Sequence, residues 1–303
     1  MEIGLYGLGR MGGNMARRLS RGGVRVLALN RSREVAERLA AEESGVVVCD
    51  SIDDLVAKLP APRIVWLMLP AGAATDTALD ALAGRLSPGD LIVDGANGFY
   101  KEAQRRAAIL AEKGIAFVDV GVSGGIWGLA NGYCLMAGAE SEAMARVEPF
   151  LRILAPSPQD GWLHAGPVGA GHFTKMVHNG IEYGMMQAMA EGFALLQAKD
   201  EFQLDLAAVA ELWRHSSVVR SWLLDLTADF LKDDQKLDGI EPFVSDSGEG
   251  RWTVAESIER GVPTPVMSLA LMMRFASQGK ADYTDKLLAM MRKGFGGHAV
   301  KEG

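Results

Sequence analysis

The segment that most constrains the fold lies at the start of the chain, where a short apolar run passes directly into a glycine-rich turn. Residues 3–6 predict a β-strand, and residues 14–21 predict a helix. Between them stands a G-x-G-x-x-G pattern, which consists of Gly7, Leu8, Gly9, Arg10, Met11 and Gly12. Glycines at this spacing permit a tight turn, a close approach of the backbone to a pyrophosphate, and close packing of helix on strand. The segment therefore predicts a dinucleotide bound at the N-terminus of that helix.

The residues after the second predicted strand, 24–29, bear on which dinucleotide is used. A strand that ends in Asp or Glu selects NAD, whereas a nearby Arg accepts the 2′-phosphate of NADP. Here the strand is followed by Asn30, Arg31, Ser32 and Arg33, and the first acid after the strand is at position 34. Arg31 can stack on adenine and pair with phosphate, and Ser32 can donate to it while also serving as the N-cap of the next helix. We expect NADP to be favoured, with NAD possible.

Strand candidates then alternate with helix candidates. Strands are predicted at 45–49, 64–69, 91–94, 116–120 and 133–137, with helices at 52–59, 76–86 and 101–113. This alternation is typical of an α/β fold with a Rossmann-like, doubly wound, mainly parallel sheet, whose ligands lie beyond the carboxyl ends of the strands. The candidate ligand positions at those ends are Leu69, Asn97, Ser123, Gly124 and Gly125. A glycine-rich turn before the next strand accounts equally well for the last three.

The alternation stops near Pro167, and the rest of the chain predicts helices only. Their approximate ranges are 169–198, 205–213, 222–231, 253–259, 266–277 and 283–292. We place a domain boundary here, with a dinucleotide-binding domain at residues 1–166 and an all-helical substrate-binding and dimerisation domain at 167–303. Arg251 falls in a predicted loop at 247–252 that could fold over a ligand.

A polar stripe on the first helix of the second domain is the strongest candidate for a site. At about 100° per residue, one helix face carries Lys175, His178, Asn179, Glu182 and Tyr183. Such stripes are often solvated surface, but His, Asn and Tyr are poorer helix formers than the Glu, Lys and Gln that suit a solvated face. The apolar residues expected to pack around the stripe are Met176, Val177, Ile181 and Met185.

Composition limits the classes of partner and cofactor that the chain can bind. The formal net charge of −7 argues against nucleic-acid or anionic-membrane partners. The two cysteines provide no disulfide framework, and no run approaches the roughly 18 apolar residues of a membrane span. The five histidines show neither metal-ligand spacing nor carboxylate companions, so we expect no metal. The N-terminus lacks a secretory signal pattern, and we expect a cytoplasmic protein.

Together these motifs resemble the decarboxylating 6-phosphogluconate dehydrogenase family, in a short form with a smaller helical domain. The resemblance is carried by segments 7–12, 30–32, 94–97, 122–125, 175–184, 250–253, 274–277 and 295–298. The wider 3-hydroxyacid dehydrogenase superfamily shares the Lys and Asn of the helix stripe but not its His and Glu-Tyr.

The resemblance implies oxidative decarboxylation of 6-phosphogluconate to ribulose 5-phosphate in the pentose phosphate pathway, by a homodimer or a higher homo-oligomer. In it, Lys175 takes the proton of the C3 hydroxyl, and Glu182 protonates C1 of the enediol left after CO₂ departs. This chemistry needs a neutral Lys175 and a protonated Glu182 at one stage each. We therefore expect burial or a neighbouring positive charge at Lys175, and burial at Glu182.

Further roles carried over from the resemblance concern binding. His178 and Asn179 hold the oxygens near C3, Asn97 bridges cofactor and substrate, and the carboxylate is held by Ser123, Gly124 and Gly125. Tyr183, Arg274 and Arg292 are implied to bind the phosphate, and His298 is implied to close the site. Arg292 and His298 would come from a partner subunit. Where the family usually carries a phosphate-binding lysine, this chain has Ser247, followed by an unfavourable Glu249.

Two other functions fit parts of the pattern. A 3-hydroxyisobutyrate-type dehydrogenase would oxidise a 3-hydroxyacid without releasing CO₂. A non-catalytic NADP-binding sensor would keep the fold without the chemistry, although the joint presence of Lys175 and Glu182 argues against it.

Overall fold

The structure, a computed structural model, describes residues 1–296 and 299–301. The chain divides into two units, Met1–Met176 and Val177–Gly303. This division falls inside a helix, about ten residues beyond Pro167, and the domain boundary proposed there stays a prediction.

The first unit is organised around one eight-stranded sheet. Its strands are β1 (Glu2–Tyr6), β2 (Arg25–Leu29), β3 (Val46–Val48), β4 (Ile64–Leu67), β5 (Leu91–Asp94), β6 (Ala116–Ser123), β7 (Cys134–Gly138) and β8 (Trp162–Gly166). They lie in the order β3-β2-β1-β4-β5-β6-β7-β8, and every neighbouring pair is parallel except β6 and β7. The predicted mainly parallel sheet is confirmed.

Helices cover both faces of this sheet. They are α1 (Arg10–Arg21), α2 (Arg33–Glu42), α3 (Ile52–Lys58), α4 (Ala73–Ala83), α5 (Tyr100–Ala111), α6 (Gly128–Asn131), α7 (Ser141–Leu154) and the start of α8 (Ala170–Gln197). Alternate strand residues enter separate cores: Leu91 and Val93 join one cluster, while Ile92 joins the other. A sheet buried on both faces in this way is the doubly wound arrangement that the strand–helix alternation predicts.

Several local predictions in the first unit differ from the structure. Helix α1 begins at Arg10, inside the glycine motif, and not at Asn14. Strand β6 continues through Ser123 instead of ending at Val120, because β7 pairs with it in antiparallel register. The elements α6, α7 and β8 were not predicted at all.

The second unit is helical, as predicted. After the remainder of α8 come α9 (Leu206–Arg214), α10 (Trp222–Asp233), α11 (Glu249–Arg260), α12 (Pro265–Phe275) and α13 (Asp282–Gly296). Because α11 starts four residues earlier than predicted, Arg251 lies in its first turn, and the interpretation of Arg251 as a loop residue was wrong.

Candidate active site

The glycine motif has the geometry that a bound pyrophosphate requires. Gly7 has φ 103°, and a Cβ there would lie 2.4 Å from the Met68 carbonyl oxygen. A Cβ on Gly12 would lie 2.0 Å from the carbonyl oxygen of Gly7, so both positions exclude side chains. Gly9, the N-cap of α1, has no heavy atom within 4 Å of its Cβ position. The unpaired N–H groups of the first turn of α1 therefore have open space for an anion, and these residues fit a dinucleotide.

Some side chains after β2 are bonded within the protein, and others remain available to bind a ligand. The Asn30 side chain accepts from Leu8 N at 2.9 Å and donates to the Ser32 carbonyl, which ties the strand end to the glycine turn. Ser32 occupies the N-cap of α2 as predicted, but its hydroxyl makes no capping bond. Arg33 is paired with Glu37 and Asp50. In the part of the chain that the structure describes, the exposed Arg31 has no hydrogen bond or ion pair.

Asn97 joins the end of β5 to β6. It has a left-handed φ of 51°, its Nδ2 donates to the Val122 carbonyl at 2.9 Å, and its Oδ1 accepts from Val122 N at 2.7 Å. The half-buried Ser123 comes next in β6 and is followed by the positive-φ glycines Gly124 and Gly125. Leu69, after β4, is half-buried, with Cδ2 3.0 Å from the Gly7 Cβ position. The fold thus brings these strand ends to one edge of the sheet.

Lys175 is buried, with 5% of its surface exposed. Burial is one of the surroundings expected for a lysine that acts as a base. The Lys175 Cβ lies 2.4 Å from where a Cβ on Gly121 would stand, so only glycine at 121 lets α8 pack this closely on β6. The positive charge of Lys175 also reaches Cys134 in β7: burial raises the pKa of that thiol, and Lys175 acts in the opposite direction.

Two residues that the sequence analysis missed fix the first turn of α8. Asp119 accepts from Gly169 N at 2.6 Å and from His172 N at 2.7 Å, which satisfies two free donors of a helix N-terminus. Burial raises the pKa of the Asp119 carboxyl, and nearby His172 opposes that rise. The buried His172 lies one turn before Lys175, with Nε2 3.1 Å from the Asp94 carbonyl oxygen. The sequence contains a signal for Asp119: it is an acidic residue in a predicted strand, and a glycine-rich helix start lies further along the chain.

Three stripe residues in the second unit cluster around one imidazole. His178 Nδ1 lies 2.9 Å from Asn179 Oδ1 and 3.8 Å from Glu182 Oε2. The Glu182 side chain is 39% exposed, so the expected burial of Glu182 is not found. The expectation that the histidines lack carboxylate companions was wrong for His178 and also for His215, whose Nε2 lies 3.1 Å from Glu211.

The expected packing around the stripe also needs correction. Met176 is buried, but Ile181 and Met185 are 52% and 43% exposed. The apolar side of α8 is therefore only partly covered in this single chain.

Tyr183 is the buried centre of a polar cluster. Its hydroxyl lies 3.3 Å from Asp246 Oδ1 and 3.2 Å from Ser247 Oγ, and the Arg274 guanidinium lies 3.5 Å from its ring centroid. Arg251 forms an ion pair with Asp246. Burial acts to raise the pKa of Asp246, but hydrogen bonds from Arg251 and Gly248 N–H outweigh it and hold that pKa below its usual range. Asp246 was missed, although Asp followed two residues later by glycine is a turn signal.

The remaining predicted residues of the phosphate end are placed as follows. Arg292 is exposed on α13, and His298 lies outside the described residues. Glu249 is buried in the first turn of α11, where the helix dipole stabilises a carboxylate.

The described residues contain no group of three or more His, Cys, Asp or Glu placed to hold a metal ion, and the absence of a metal cofactor stays a prediction. None of their helices has the length and apolarity needed to cross a membrane.

A doubly wound sheet with this glycine turn, followed by a helical domain, defines a dinucleotide-dependent oxidoreductase. The family model for the NAD binding domain of 6-phosphogluconate dehydrogenase matches residues 2–162, and the model for the C-terminal domain of 6-phosphogluconate dehydrogenase matches 171–298. The chain belongs to the 6-phosphogluconate dehydrogenase family.

Relatives of known name agree with this assignment. The NAD⁺-dependent, decarboxylating 6-phosphogluconate dehydrogenase of Haloferax volcanii is 40% identical over 99% of this chain and 98% of its own length. The structure of Plasmodium falciparum 6-phosphogluconate dehydrogenase, solved in apo form, with NADP⁺ and with 6-phosphogluconate, matches with a TM-score of 0.84 at 30% identity. That match covers all of this chain and 66% of the Plasmodium chain.

A second kind of dehydrogenase shares the fold. Mycobacterium tuberculosis 3-hydroxyisobutyrate dehydrogenase matches with a TM-score of 0.72 at 22% identity, over 93% of this chain and 94% of its own.

Proposed function

We propose that the protein oxidatively decarboxylates 6-phosphogluconate to ribulose 5-phosphate and CO₂. The observation that carries this proposal is the helix α8, on which a buried Lys175 is followed at helical spacing by Asn179 and Glu182. In a chain of this family, that arrangement supplies one group to take a proton and another to return one. The Haloferax and Plasmodium relatives are named for the same reaction or substrate.

Lys175 is the proton acceptor in the proposed mechanism. Burial disfavours the ammonium form of an amine, which leaves Lys175 able to take the proton of the C3 hydroxyl while hydride leaves C3. Once CO₂ has departed from the 3-keto acid, the ammonium of Lys175 returns its proton to the C3 oxygen, and an enediol results.

Glu182 is the acid that completes the reaction by delivering a proton to C1 of the enediol. It lies seven residues beyond Lys175, roughly 10.5 Å along the helix axis, and we assign the two groups to different carbons of one sugar acid. The Glu182 carboxyl lies 3.8 Å from the His178 imidazole, so the two side chains are neighbours on the same helix face. His178 and Asn179 hold the oxygens near C3.

The nicotinamide dinucleotide accepts the hydride when it is bound. Its pyrophosphate fits over Gly9 at the N-terminus of α1, and Arg31 and Ser32 are the groups proposed for a 2′-phosphate, which favours NADP over NAD. We also propose that Asn97, Ser123, Gly124 and Gly125 bind at the substrate carboxylate and cofactor end. A homodimer working in the cytoplasm, in the pentose phosphate pathway, completes the proposal.

The deciding assay pairs NADP⁺ or NAD⁺ reduction with CO₂ release from millimolar 6-phosphogluconate. We expect one CO₂ for each NADPH or NADH formed. Reduction of the dinucleotide by 3-hydroxyisobutyrate without CO₂ would instead establish the non-decarboxylating alternative, and dinucleotide binding without turnover of either substrate would establish a sensor.

Substitutions on α8 test the two proton-transfer roles. Lys175→Ala should lower kcat by about 10³-fold or more, because a general base contributes up to ~10⁴-fold. Lys199→Ala, which removes an exposed lysine paired with Glu201, is the control and should leave the rate unchanged. Glu182→Gln should slow solvent-hydrogen incorporation at C1 of ribulose 5-phosphate more than it slows dinucleotide reduction; equal loss of both would contradict its role.

A further inference from the structure

The polar cluster at Tyr183 contains the donors of an anion site, and we call this set the Tyr183 cradle: Tyr183, Gly248, Arg251 and Arg274. Gly248 N–H donates to Asp246 Oδ1 at 3.0 Å, and the Tyr183 hydroxyl donates to the same atom at 3.3 Å. Arg251 Nε donates to Oδ2. One carboxylate thus receives a backbone N–H, a phenol and a guanidinium.

These donors are the kinds that bind phosphate in proteins. Guanidinium groups and N–H groups at the start of a helix both favour a charged oxygen, and Gly248 is the N-cap of α11. The Asp246 side chain is only 5% exposed, so the carboxylate lies inside the cradle and does not merely border it. The cradle is therefore filled by an anion that belongs to the chain itself.

The loop that carries Asp246 is held in place by α12 and the turn after it. Arg274 Nη1 donates to the Ser245 carbonyl at 2.7 Å, while Ser277 Oγ accepts from Val244 N at 3.0 Å. Gln278 donates to the Val244 carbonyl at 2.8 Å. Three hydrogen bonds thus hold the backbone at positions 244 and 245, so the donors are vacated only when the Asp246 side chain turns away from them.

We propose that Asp246 is a specificity-determining residue that competes, as an internal anion, with the phosphate group of the substrate for the Tyr183 cradle. The inference rests on the proposed function in placing a sugar-acid phosphate at this cradle. A ligand that offers a phosphate alone has to displace Asp246 without other compensation. A phosphorylated sugar acid displaces it with the help of its contacts at the carboxylate and C3 ends, so Asp246 selects the whole substrate over free phosphate.

The test measures binding of inorganic phosphate and, separately, of 6-phosphogluconate to the full chain by calorimetry. Asp246→Asn keeps an acceptor for Gly248 N–H but removes the charge, and Asp238→Asn removes an exposed charge from the same loop as a matched control. We expect Asp246→Asn to bind inorganic phosphate about tenfold more tightly than the wild type, because a like charge a few ångströms away is lost. Asp238→Asn should match the wild type.

Several outcomes separate this inference from the proposed function. Unchanged or weaker phosphate binding by Asp246→Asn overturns the competition, whatever the enzyme assay shows. Adding Arg274→Ala to Asp246→Asn should remove the gain, and a gain that survives would place the phosphate elsewhere and overturn the assignment. Asp246→Ala repeats the measurement, so the competition is still decided if one variant melts below the wild type. Failure of 6-phosphogluconate turnover, with the phosphate result as expected, rejects the substrate and not the internal anion.

Discussion

Two neighbouring arginines after β2 have the same chemistry but different surroundings. Arg33 is committed to Glu37 and Asp50, and exposed ion pairs of this kind hold a guanidinium in place without adding much stability. Arg31 is the neighbour whose guanidinium is available to a ligand. The sequence favours Arg31 for the 2′-phosphate, and the positions of Glu37 and Asp50 in the fold give the physical reason why Arg33 is less available.

Arg31→Ala is therefore expected to lower kcat/KM for NADP by about ten- to a hundredfold, because it removes one charge-assisted hydrogen bond of ~1.5–3 kcal/mol. The value for NAD, which lacks the 2′-phosphate, should change little. Steady-state kinetics with both dinucleotides decide the matter. Arg33→Ala is the control, and an equal loss of NADP activity in that variant would refute the assignment of Arg31.

At the scale of elements, α8 depends on a glycine where it meets β6 and β7. A Cβ on Gly171 would lie 2.4 Å from the Met136 carbonyl oxygen and 2.5 Å from that of Asp119. Because both neighbours are backbone atoms of strands, neither can move without disturbing the sheet. Gly192, on the same helix, has no heavy atom within 4 Å of its Cβ position.

These two glycines should respond in opposite ways to alanine. Gly171→Ala is expected to destabilise the protein by about 1–3 kcal/mol, as overpacking does, whereas Gly192→Ala should stabilise it by up to about 1 kcal/mol through helix propensity. Urea unfolding followed by circular dichroism measures both. A destabilised Gly192→Ala or a neutral Gly171→Ala would show that the contacts of α8 differ from those described.

The pair α9 and α10 carries a pH-sensitive ion cluster. Hydrogen bonds from His215, Arg214 and Lys232 lower the pKa of Glu211 from 4.5 to about 2. A depressed carboxyl pKa adds stability above pH 4.5, and this stability is lost as the pH falls toward 2. Glu211→Gln should therefore melt at a lower temperature than the wild type at pH 7 and approach it at pH 2–3. Melting curves across this range provide the check; a constant difference would contradict the linkage.

Elements were predictable from sequence wherever their cause is local. The turn at Gly7 and Gly12 follows from backbone space that only glycine leaves, and the alternation of strands and helices follows from periodicity. The extension of β6 to Ser123 depends on pairing with β7, which no local pattern contains. Helix α7 has Pro149 in its interior, where proline usually ends a helix, so it was overlooked.

The candidate site, too, could be predicted from sequence only where the cause is local. Helical spacing places Lys175 and Glu182 on one helix face, but it does not reveal which of them the fold buries. Nor does it reveal that Asp246, a loop residue more than 60 positions beyond Tyr183, completes the surroundings of that phenol.

At the scale of the whole molecule, α13 carries an apolar stripe that the single chain leaves exposed. Tyr283, Leu287, Met290 and Met291 recur at helical spacing and are each 45–77% exposed. A stripe of this kind on a terminal helix suits pairing with a second copy of the chain, which supports the proposed homodimer.

Light scattering after gel filtration should therefore give twice the 32.4 kDa of one chain. Leu287→Asp is expected to shift the protein toward the monomer, because it places a charge in the stripe. Asp285→Lys changes a charge two residues from both Tyr283 and Leu287, on the opposite face of α13, and should leave the dimer intact. A wild type that elutes as a monomer would remove the homodimer from the proposal.

The contrast between Gly9 and its neighbours Gly7 and Gly12 has a practical consequence. The flanking glycines are required by the backbone itself, whereas Gly9 has an ordinary φ of −63° and no heavy atom within 4 Å of its Cβ position. A side chain placed there, as in Gly9→Val, would extend into the space that we propose for the pyrophosphate. We therefore expect Gly9→Val to fold like the wild type without binding NADP or NAD, which would make it a reference protein for calorimetry.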